Sequence, residues 1–142
     1  MEIIIRPAKE LDEEKILAYI KEFSLDGEDI LYGQFLVAEV CEQLVGFGRV
    51  KQYGDIYEIA SVGVLEEFRR KGVGKKLVEC LLNKIESEEI WITTKAPDFF
   101  EKLGFKEDRN YPDEIFLKCQ RVCKNSKHIF ENACYMCYRK KA

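Results

Sequence analysis

The stretch 56–85 restricts the possible folds more than any other part of this 142-residue chain. It reads IYEIASVGVL, then EEFRRKGVGKK, then LVECLLNKI. The first part is an apolar run with the length of a buried strand. Val73, Leu77, Leu81 and Ile85 recur every four residues, as they do on the apolar face of a helix. The pattern therefore predicts a central strand, a basic glycine-containing loop and a helix in succession.

The loop RRKGVG has the composition of an anion-binding loop, with Arg69, Gly72 and Gly74 in an RxxGxG pattern. Glycines let the chain turn with its N–H groups facing inward, and the N-terminus of a helix carries partial positive charge. A pyrophosphate group suits such a site. Full positive charges are added by Arg69, Arg70, Lys71 and Lys75. The alternative interpretation is an exposed turn, because glycine and basic residues are also common before helices.

Two other phosphate-binding loops do not fit this segment. A nucleoside-triphosphate loop needs GxxxxGK followed by Ser or Thr, but Lys76 stands at the hydroxyl position and the earlier glycine is missing. The dinucleotide pattern GxGxxG fails at Leu77. Both nucleotide-binding classes are therefore excluded on this motif.

The flanking patterns predict a mixed α/β chain. Strands are expected at 2–6, 34–41, 44–53, 90–94 and after Gly104, and helices at 12–23, 28–32, 96–103 and 114–124. The strands 34–41 and 44–53 are expected to form a hairpin across Glu42 and Gln43. Gly63 is the expected site of a bulge in the central strand. The segment ACYMCYR, 133–139, is the candidate for a final strand.

Composition excludes several classes of protein. The formal net charge is −3, which does not favour a general nucleic-acid binder or a protein bound to an anionic membrane. The beginning MEIIIRPAKE lacks a signal-peptide pattern, and no apolar run has the length of a membrane span. We expect one domain over 1–142, with the segment 113–142 completing its sheet, and a cytoplasmic location.

The last thirty residues contain four of the six cysteines. Cys119, Cys123, Cys134 and Cys137 permit a structural zinc site with four thiolates, and with it a zinc-dependent interaction module. If ACYMCYR is a strand, however, Cys134 and Cys137 point to opposite faces and do not ligate one ion. The pattern therefore favours packed, reduced thiols, and no metal is predicted.

A family resemblance rests on these residues. EIASVGVLEEFRRKGVGKKLVE, followed by a strand and then FFEKLGFKE, resembles the central motif of the GNAT superfamily of acetyl-CoA-dependent N-acetyltransferases. The match spans about 44–109, and 116–138 loosely resembles the ends of short amino-acid acetyltransferases related to N-acetylglutamate synthases. The resemblance implies the GNAT-type α/β (α+β) fold, a mixed, mostly antiparallel central sheet with helices on both faces.

The resemblance also implies how acetyl-CoA, as co-substrate, is bound. The loop 69–75 would hold its pyrophosphate, and the pantetheine arm would pair with the backbone of Val62, Gly63 and Val64. The amide near Val64 would polarise the thioester carbonyl, because acyl transfer builds negative charge on that oxygen. The predicted coenzyme-binding residues are thus Val62, Gly63, Val64, Arg69, Arg70, Lys71, Gly72, Val73, Gly74 and Lys75.

Glu58 is the predicted general base. An ammonium has no lone pair, so a base must remove a proton before attack. Glu58 lies in an otherwise apolar strand, where a carboxylate is costly without a partner; the alternative is a salt-bridged or solvent-facing residue. Phe100 stands where many relatives have a tyrosine that protonates the leaving thiolate, which leaves Tyr111, Tyr135 and Tyr138 as unplaced alternatives. His128 is expected to be an ordinary surface residue.

These features predict an N-acetyltransferase that acetylates a primary amine by direct attack in a ternary complex. The first choice of acceptor is a small amino acid such as glutamate, with Arg49 and Lys51 as partners for its carboxylates. The alternative acceptors are protein N-termini or lysines. A non-catalytic acetyl-CoA sensor or interaction module is the alternative of another class. The resemblance leaves room for a homodimer.

Overall fold

The computed structural model describes residues 1–125 and 129–140, and within them seven strands form one sheet. The strands are β1 (Ile4–Pro7), β2 (Phe35–Val40), β3 (Gln43–Tyr53), β4 (Ile56–Val64), β5 (Glu89–Thr94), β6 (Lys106–Glu107) and β7 (Cys134–Arg139). Their order in the sheet is β1-β2-β3-β4-β5-β7-β6. Only β4 and β5, of the described strands, pair in parallel. The predicted mixed, mostly antiparallel sheet is confirmed.

Helices pack on both faces of this sheet. They are α1 (Glu13–Glu22), α2 (Val73–Lys84), α3 (Pro97–Lys102) and α4 (Asp113–Asn125). Short 3-10 turns lie at Glu10–Asp12, Tyr32–Gln34 and Glu66–Phe68. Pro97 opens α3, as its fixed φ and missing N–H favour. No helix in the described part of the chain combines the length and the apolarity that crossing a membrane requires.

Alternation along the strands separates the two faces. Ile90 and Ile92 join the core beneath α2 and α3, whereas Trp91 between them packs with Ile115 of α4. On the face of α1, a second core contains Ile16, Ile20, Phe35, Val37 and Phe47. Each strand in the middle of the sheet therefore contributes to two cores, as the period of two dictates.

The hairpin turn and the helix expected at 28–32 differ from the structure. The hairpin turn lies at Cys41 and Glu42, one residue earlier than expected, and both have positive φ, as a two-residue hairpin turn requires. The expected helix at 28–32 is replaced by the turn Tyr32–Gln34. The chain turns before this segment, because the Oδ1 of Asp26 accepts a hydrogen bond from the N–H of Glu28 at 2.9 Å.

The bulge in β4 lies next to Gly63 rather than at it. Phe47 pairs with Gly63 and Arg49 with Ala60, so Ser61 and Val62 together face one residue of β3. Ser61 has a φ of 55°. Gly63 is required for a different reason: a Cβ there would lie 2.6 Å from Cζ of Phe47.

The cysteine-bearing end forms α4 and β7. Cys134 packs against the core beneath α2, and Cys137 packs with Trp91 on the other face, so the two thiols point to opposite sides as expected. No group of three or more candidate metal ligands occurs among residues 1–125 and 129–140. His128 lies outside the described residues.

Candidate active site

A cavity of about 970 Å³ opens where β4 and β5 part. The two strands pair at Tyr57 with Ile90 and at Glu58 with Trp91. Past these pairs, both strands line the cavity, through residues 60–64 of β4 and 92–94 of β5. The bulge at Ser61 lies at the start of this section. Backbone groups of β4 are thereby presented to a space that an extended ligand arm can occupy.

The glycine loop forms another wall of the same cavity. Gly72 has a φ of 86° and precedes α2, whose first intrahelical bond runs from Lys76 N–H to the Gly72 carbonyl. The N–H groups before Lys76 thus have no partner within the helix. A Cβ on Gly72 would meet nothing within 4 Å, so its left-handed backbone, not lack of space, requires glycine.

Most predicted coenzyme residues lie together at this cavity. Its lining includes Val62, Gly63, Val64, Arg69, Arg70, Gly72, Gly74 and Lys75. The side chains of two other predicted residues, Val73 and Lys71, are not part of this lining. Val73 is 1% exposed, because it begins the apolar face of α2 and packs in the core. Lys71 is exposed, with its Nζ 5.8 Å from the ring centroid of Phe68.

Arg69 ties the loop to its surroundings. Its Nε donates a hydrogen bond to the Val64 carbonyl at 2.8 Å, and its guanidinium lies 5.2 Å from the ring centroid of Phe23. The predicted role of Val64 uses its N–H, so this contact to the carbonyl does not compete with it. The loop is positioned by the end of β4 and by the end of α1.

Aromatic residues of α3 complete this side. Phe100 is 5% exposed and lines the cavity, with its ring edge-on to Phe99 at 4.9 Å and to Phe105 at 5.5 Å. Tyr111 and Tyr135 stack at 3.9 Å between centroids, and burial raises the pKa of Tyr135. Tyr111, Tyr135 and Tyr138 do not line the cavity. The position of the expected tyrosine therefore offers no proton donor.

Five ionisable residues form a buried charge cluster beside the cavity. Its members, each 5% exposed or less, are Asp26, Arg49, Lys51, Glu58 and Lys118. Asp26 lines the cavity and joins three cations: its Oδ2 lies 3.0 Å from Lys51 Nζ and 3.4 Å from Lys118 Nζ, and its Oδ1 lies 3.4 Å from Arg49 Nη2. Burial acts to raise the pKa of Asp26, but Lys118, Lys51 and Arg49 together outweigh it and lower the pKa.

Glu58 does not reach the cavity wall. It is fully buried, its Oε2 lies 2.8 Å from Lys118 Nζ, and its Oε1 accepts a hydrogen bond from the Tyr53 hydroxyl at 3.1 Å. Burial acts to lower the pKa of Lys118, yet Glu58 and Asp26 outweigh it and raise the pKa. Lys118 is therefore a charged ammonium held between two carboxylates.

Arg49 and Lys51 are committed to the protein rather than to a ligand. Arg49 Nε donates to Ser61 Oγ at 3.0 Å, and its Nη1 donates to Gln34 Oε1 at 3.0 Å. Lys51 Nζ bridges Asp26 at 3.0 Å and Glu28 at 3.1 Å. Neither residue lines the cavity, so the expectation that they bind a substrate carboxylate is wrong. The loop after α1 covers them, which their spacing on β3 did not reveal.

Sequence reasoning missed Asp26, Lys118 and Phe130 at this site. Asp26 and Gly27 only indicated a turn after the predicted helix 12–23, and Lys118 was one of several polar residues in the predicted helix 114–124. A usable signal was present in β3 and β4, where the charged residues Lys51 and Glu58 are direct cross-strand partners. Charged residues within a buried strand need ionic or hydrogen-bonding partners, but the sequence does not identify those partners.

Several known acetyltransferases are similar to this chain. A family model described as an acetyltransferase (GNAT) domain matches residues 32–107. An uncharacterized N-acetyltransferase from Chlorobaculum tepidum is 36% identical over 91 residues, which is 60% of this chain and 59% of that protein. An N-alpha-acetyltransferase from Saccharolobus solfataricus is 32% identical over 74 residues, 44% of each chain. The chain therefore spans less than two thirds of the length of these relatives.

Solved structures show the same fold. N-acetylglutamate synthase from Neisseria gonorrhoeae, complexed with coenzyme A and N-acetyl-glutamate, has a TM-score of 0.79 at 18% identity, covering 100% of this chain and 36% of that one. Ard1 from Thermoplasma volcanium has a TM-score of 0.71 at 19% identity, covering 100% of both chains.

The fold and the cavity define an acyltransferase-type architecture, a sheet opened beside a glycine loop at a helix N-terminus. The family model covers more than half of this chain. The chain therefore belongs to the GNAT acetyltransferase family. Acetyl-CoA is the co-substrate of that family.

Proposed function

We propose that this chain transfers the acetyl group of acetyl-CoA to a primary amine by direct attack in a ternary complex. The observation that carries the proposal is one cavity that joins the glycine loop at the start of α2 to the opened end of β4. Membership of the GNAT family supports it.

The coenzyme would lie along this path with its charged end at the loop. The pyrophosphate would accept hydrogen bonds from the first N–H groups of α2, near the cations Arg69, Arg70 and Lys75. The pantetheine arm would follow Val62, Gly63 and Val64. The carbonyl oxygen would receive a hydrogen bond from the amide near Val64, which stabilises the negative charge that develops there.

The reaction needs few groups beyond these. The deprotonated amine attacks the thioester carbon, a C–N bond forms, and the C–S bond breaks. The coenzyme leaves as a thiolate, and the proton that the attacking nitrogen loses on becoming an amide passes through water to that thiolate. Because model thiols have a pKa of about 8.5, the leaving group departs readily, and Phe100 in the place of a tyrosine is compatible with turnover.

Glu58 stays the predicted general base. Its carboxylate contacts Lys118 and Tyr53 in the structure, so direct transfer from an acceptor requires that the pair with Lys118 open. Asp26, although it lines the cavity, is a weak base because the surrounding cations lower its pKa.

We infer that the acceptor is a small amino acid. Both acceptor classes occur among the similar proteins: one solved structure holds N-acetyl-glutamate, and two relatives are named N-alpha-acetyltransferases. The amino-acid choice does not rely on Arg49 or Lys51, whose charges are bound within the protein.

The test is thiol release from acetyl-CoA with a panel of free amino acids, polyamines and peptides. Turnover with at least one amine is expected. For Glu58→Gln, kcat/KM should fall by about 10²-fold or more. Glu86→Gln, at an exposed position after α2, is the matched control.

Two results would contradict these assignments separately. If the chain binds CoA but turns over no amine, it is a coenzyme-binding module and not a transferase. A Glu58→Gln enzyme with the wild-type kcat/KM and a lower melting temperature would show that Glu58 has only a structural role.

A further inference from the structure

Two charge pairs join the loop after α1 to helix α4, which lie far apart in the sequence. Arg121 makes a two-armed contact with Glu28: its Nε donates a hydrogen bond to Oε2 at 2.7 Å, and its Nη2 donates one to Oε1 at 3.0 Å. Lys118 Nζ lies 3.4 Å from Asp26 Oδ2. We call Asp26, Glu28, Lys118 and Arg121 the clasp. Because Lys118 and Arg121 are three residues apart on α4, they share one face of the helix.

The inner half of the clasp is part of the cavity wall. Asp26 lines the cavity from the loop side, and Phe130 lines it from the segment that follows α4. Lys118 Nζ lies 4.3 Å from the ring centroid of Phe130, so one ammonium contacts both sides of this wall. The outer half, the pair of Glu28 with Arg121, lies one layer further out.

A third cation also binds both carboxylates of the clasp. Lys51 Nζ, on β3, lies between Asp26 and Glu28 and binds both carboxylates. The loop that carries Asp26 and Glu28 is thereby bound to β3 through Lys51 and to α4 through Lys118 and Arg121. A two-armed contact between arginine and a carboxylate also fixes relative orientation, which a single contact does not.

This arrangement bears on which amines can be acetylated. A peptide acceptor carries a polypeptide chain behind its amine, and that chain needs an open groove to leave the site, whereas a free amino acid needs only a pocket. The loop after α1 on one side, and α4 with Phe130 on the other, would be the two sides of such a groove. Here the clasp binds the loop directly to α4.

We propose that the clasp determines acceptor size: it closes the wall between the loop after α1 and α4, and so admits free small amines and rejects polypeptides. The inference rests on the proposed acetyl transfer. It assigns Glu28 and Arg121, which do not line the cavity, as positioning residues for specificity.

The test compares a free amino acid with a peptide that begins with the same residue, as acceptors for the full chain. Arg121→Glu places like charges opposite Glu28 and opens the outer half of the clasp, while Arg121→Lys keeps the charge. Arg139→Glu is the matched control, because Arg139 is similarly exposed, 55% against 51%, and pairs with Asp108 at 2.8 Å.

The wild-type chain should prefer the free amino acid, and Arg121→Glu should raise the ratio of peptide to amino-acid kcat/KM by about tenfold. The change should appear in the KM of the peptide, with CoA affinity unaltered. Arg139→Glu should keep the wild-type ratio. Arg121→Lys, which keeps the charge but not the two-armed contact, should give a ratio between those of the wild type and Arg121→Glu.

Equal wild-type use of both acceptors would overturn the clasp as a size filter. So would an Arg121→Glu enzyme that keeps the wild-type ratio, whatever its melting temperature. Loss of thiol release with every amine, in the wild-type chain, would instead overturn the proposed acetyl transfer.

Discussion

Lys118 is buried among charged groups, which is unusual for a lysine. It is 1% exposed, and its ammonium lies 2.8 Å from Glu58 and 3.4 Å from Asp26. Removing one partner of a buried ion pair is more costly than the pair is stabilising, because an uncompensated charge remains in the interior. Two carboxylates depend on Lys118 in this way.

Lys118→Met should therefore destabilise the fold strongly. Loss of a buried partner typically lowers the free energy of unfolding by about 3–5 kcal/mol, and urea unfolding at neutral pH would measure it. Lys84→Met, at an exposed position of α2, should change it by less than about 0.5 kcal/mol. A Lys118→Met chain as stable as wild type would show that the carboxylates do not need the ammonium.

At the scale of elements, the junction of β4, the glycine loop and α2 brings coenzyme-binding groups together. The strand ends where Arg69 holds the Val64 carbonyl, and the helix begins after the left-handed Gly72. The sequence predicted this succession from local signals, namely an apolar run, two glycines and a four-residue apolar repeat. The repeat correctly placed Val73 on the apolar face of α2, but the sequence did not show that the Lys71 side chain lies outside the cavity lining.

Gly72→Ala tests this junction against a matched position. Gly72 and Gly54 both have positive φ, 86° and 60°, and an added Cβ meets nothing within 4 Å at either site. Alanine should lower the unfolding free energy by about 1–2 kcal/mol in both. Only Gly72→Ala should weaken CoA binding, by about tenfold in Kd measured by calorimetry. Equal CoA affinity in the two variants would argue against this loop as the phosphate site.

At the scale of the whole molecule, strand order decides what meets at the cavity. The order β4-β5-β7-β6 places β7 beside β5, and α4 covers that part of the sheet through Ile115 and Trp91. As a result Lys118 reaches Asp26 and Glu58, which lie on the loop after α1 and on β4. The cavity is thus built by segments from nearly the full length of the described chain.

Coenzyme binding should consequently stabilise the entire fold. A ligand that binds only the folded state adds about 2.7 kcal/mol at a concentration of about 100 times its Kd. For a domain of this size, the melting temperature should rise by roughly 5–10 °C with CoA, as measured by scanning calorimetry. Pantetheine, which lacks the pyrophosphate, should give a much smaller rise. Equal shifts with both ligands would contradict binding through the phosphates.

The sequence by itself determined what is local. Periodicity and turn residues specify β4, the glycine loop, α2 and the opening of α3 by Pro97, because each depends on neighbours within a few positions. The central motif carried the GNAT resemblance for the same reason. The final strand was less certain from local signals, and it was the family resemblance that favoured a strand for ACYMCYR.

Only the tertiary structure decided which charges are buried and which residues line the cavity. Arg49 and Lys51 looked like ligands on β3, yet the loop after α1 covers them and Asp26 pairs with them. The partners of Glu58 and Glu28 come from α4, far along the chain. Such contacts leave no periodic trace in the sequence, because strand order and helix placement, not local spacing, bring the two ends of each pair together.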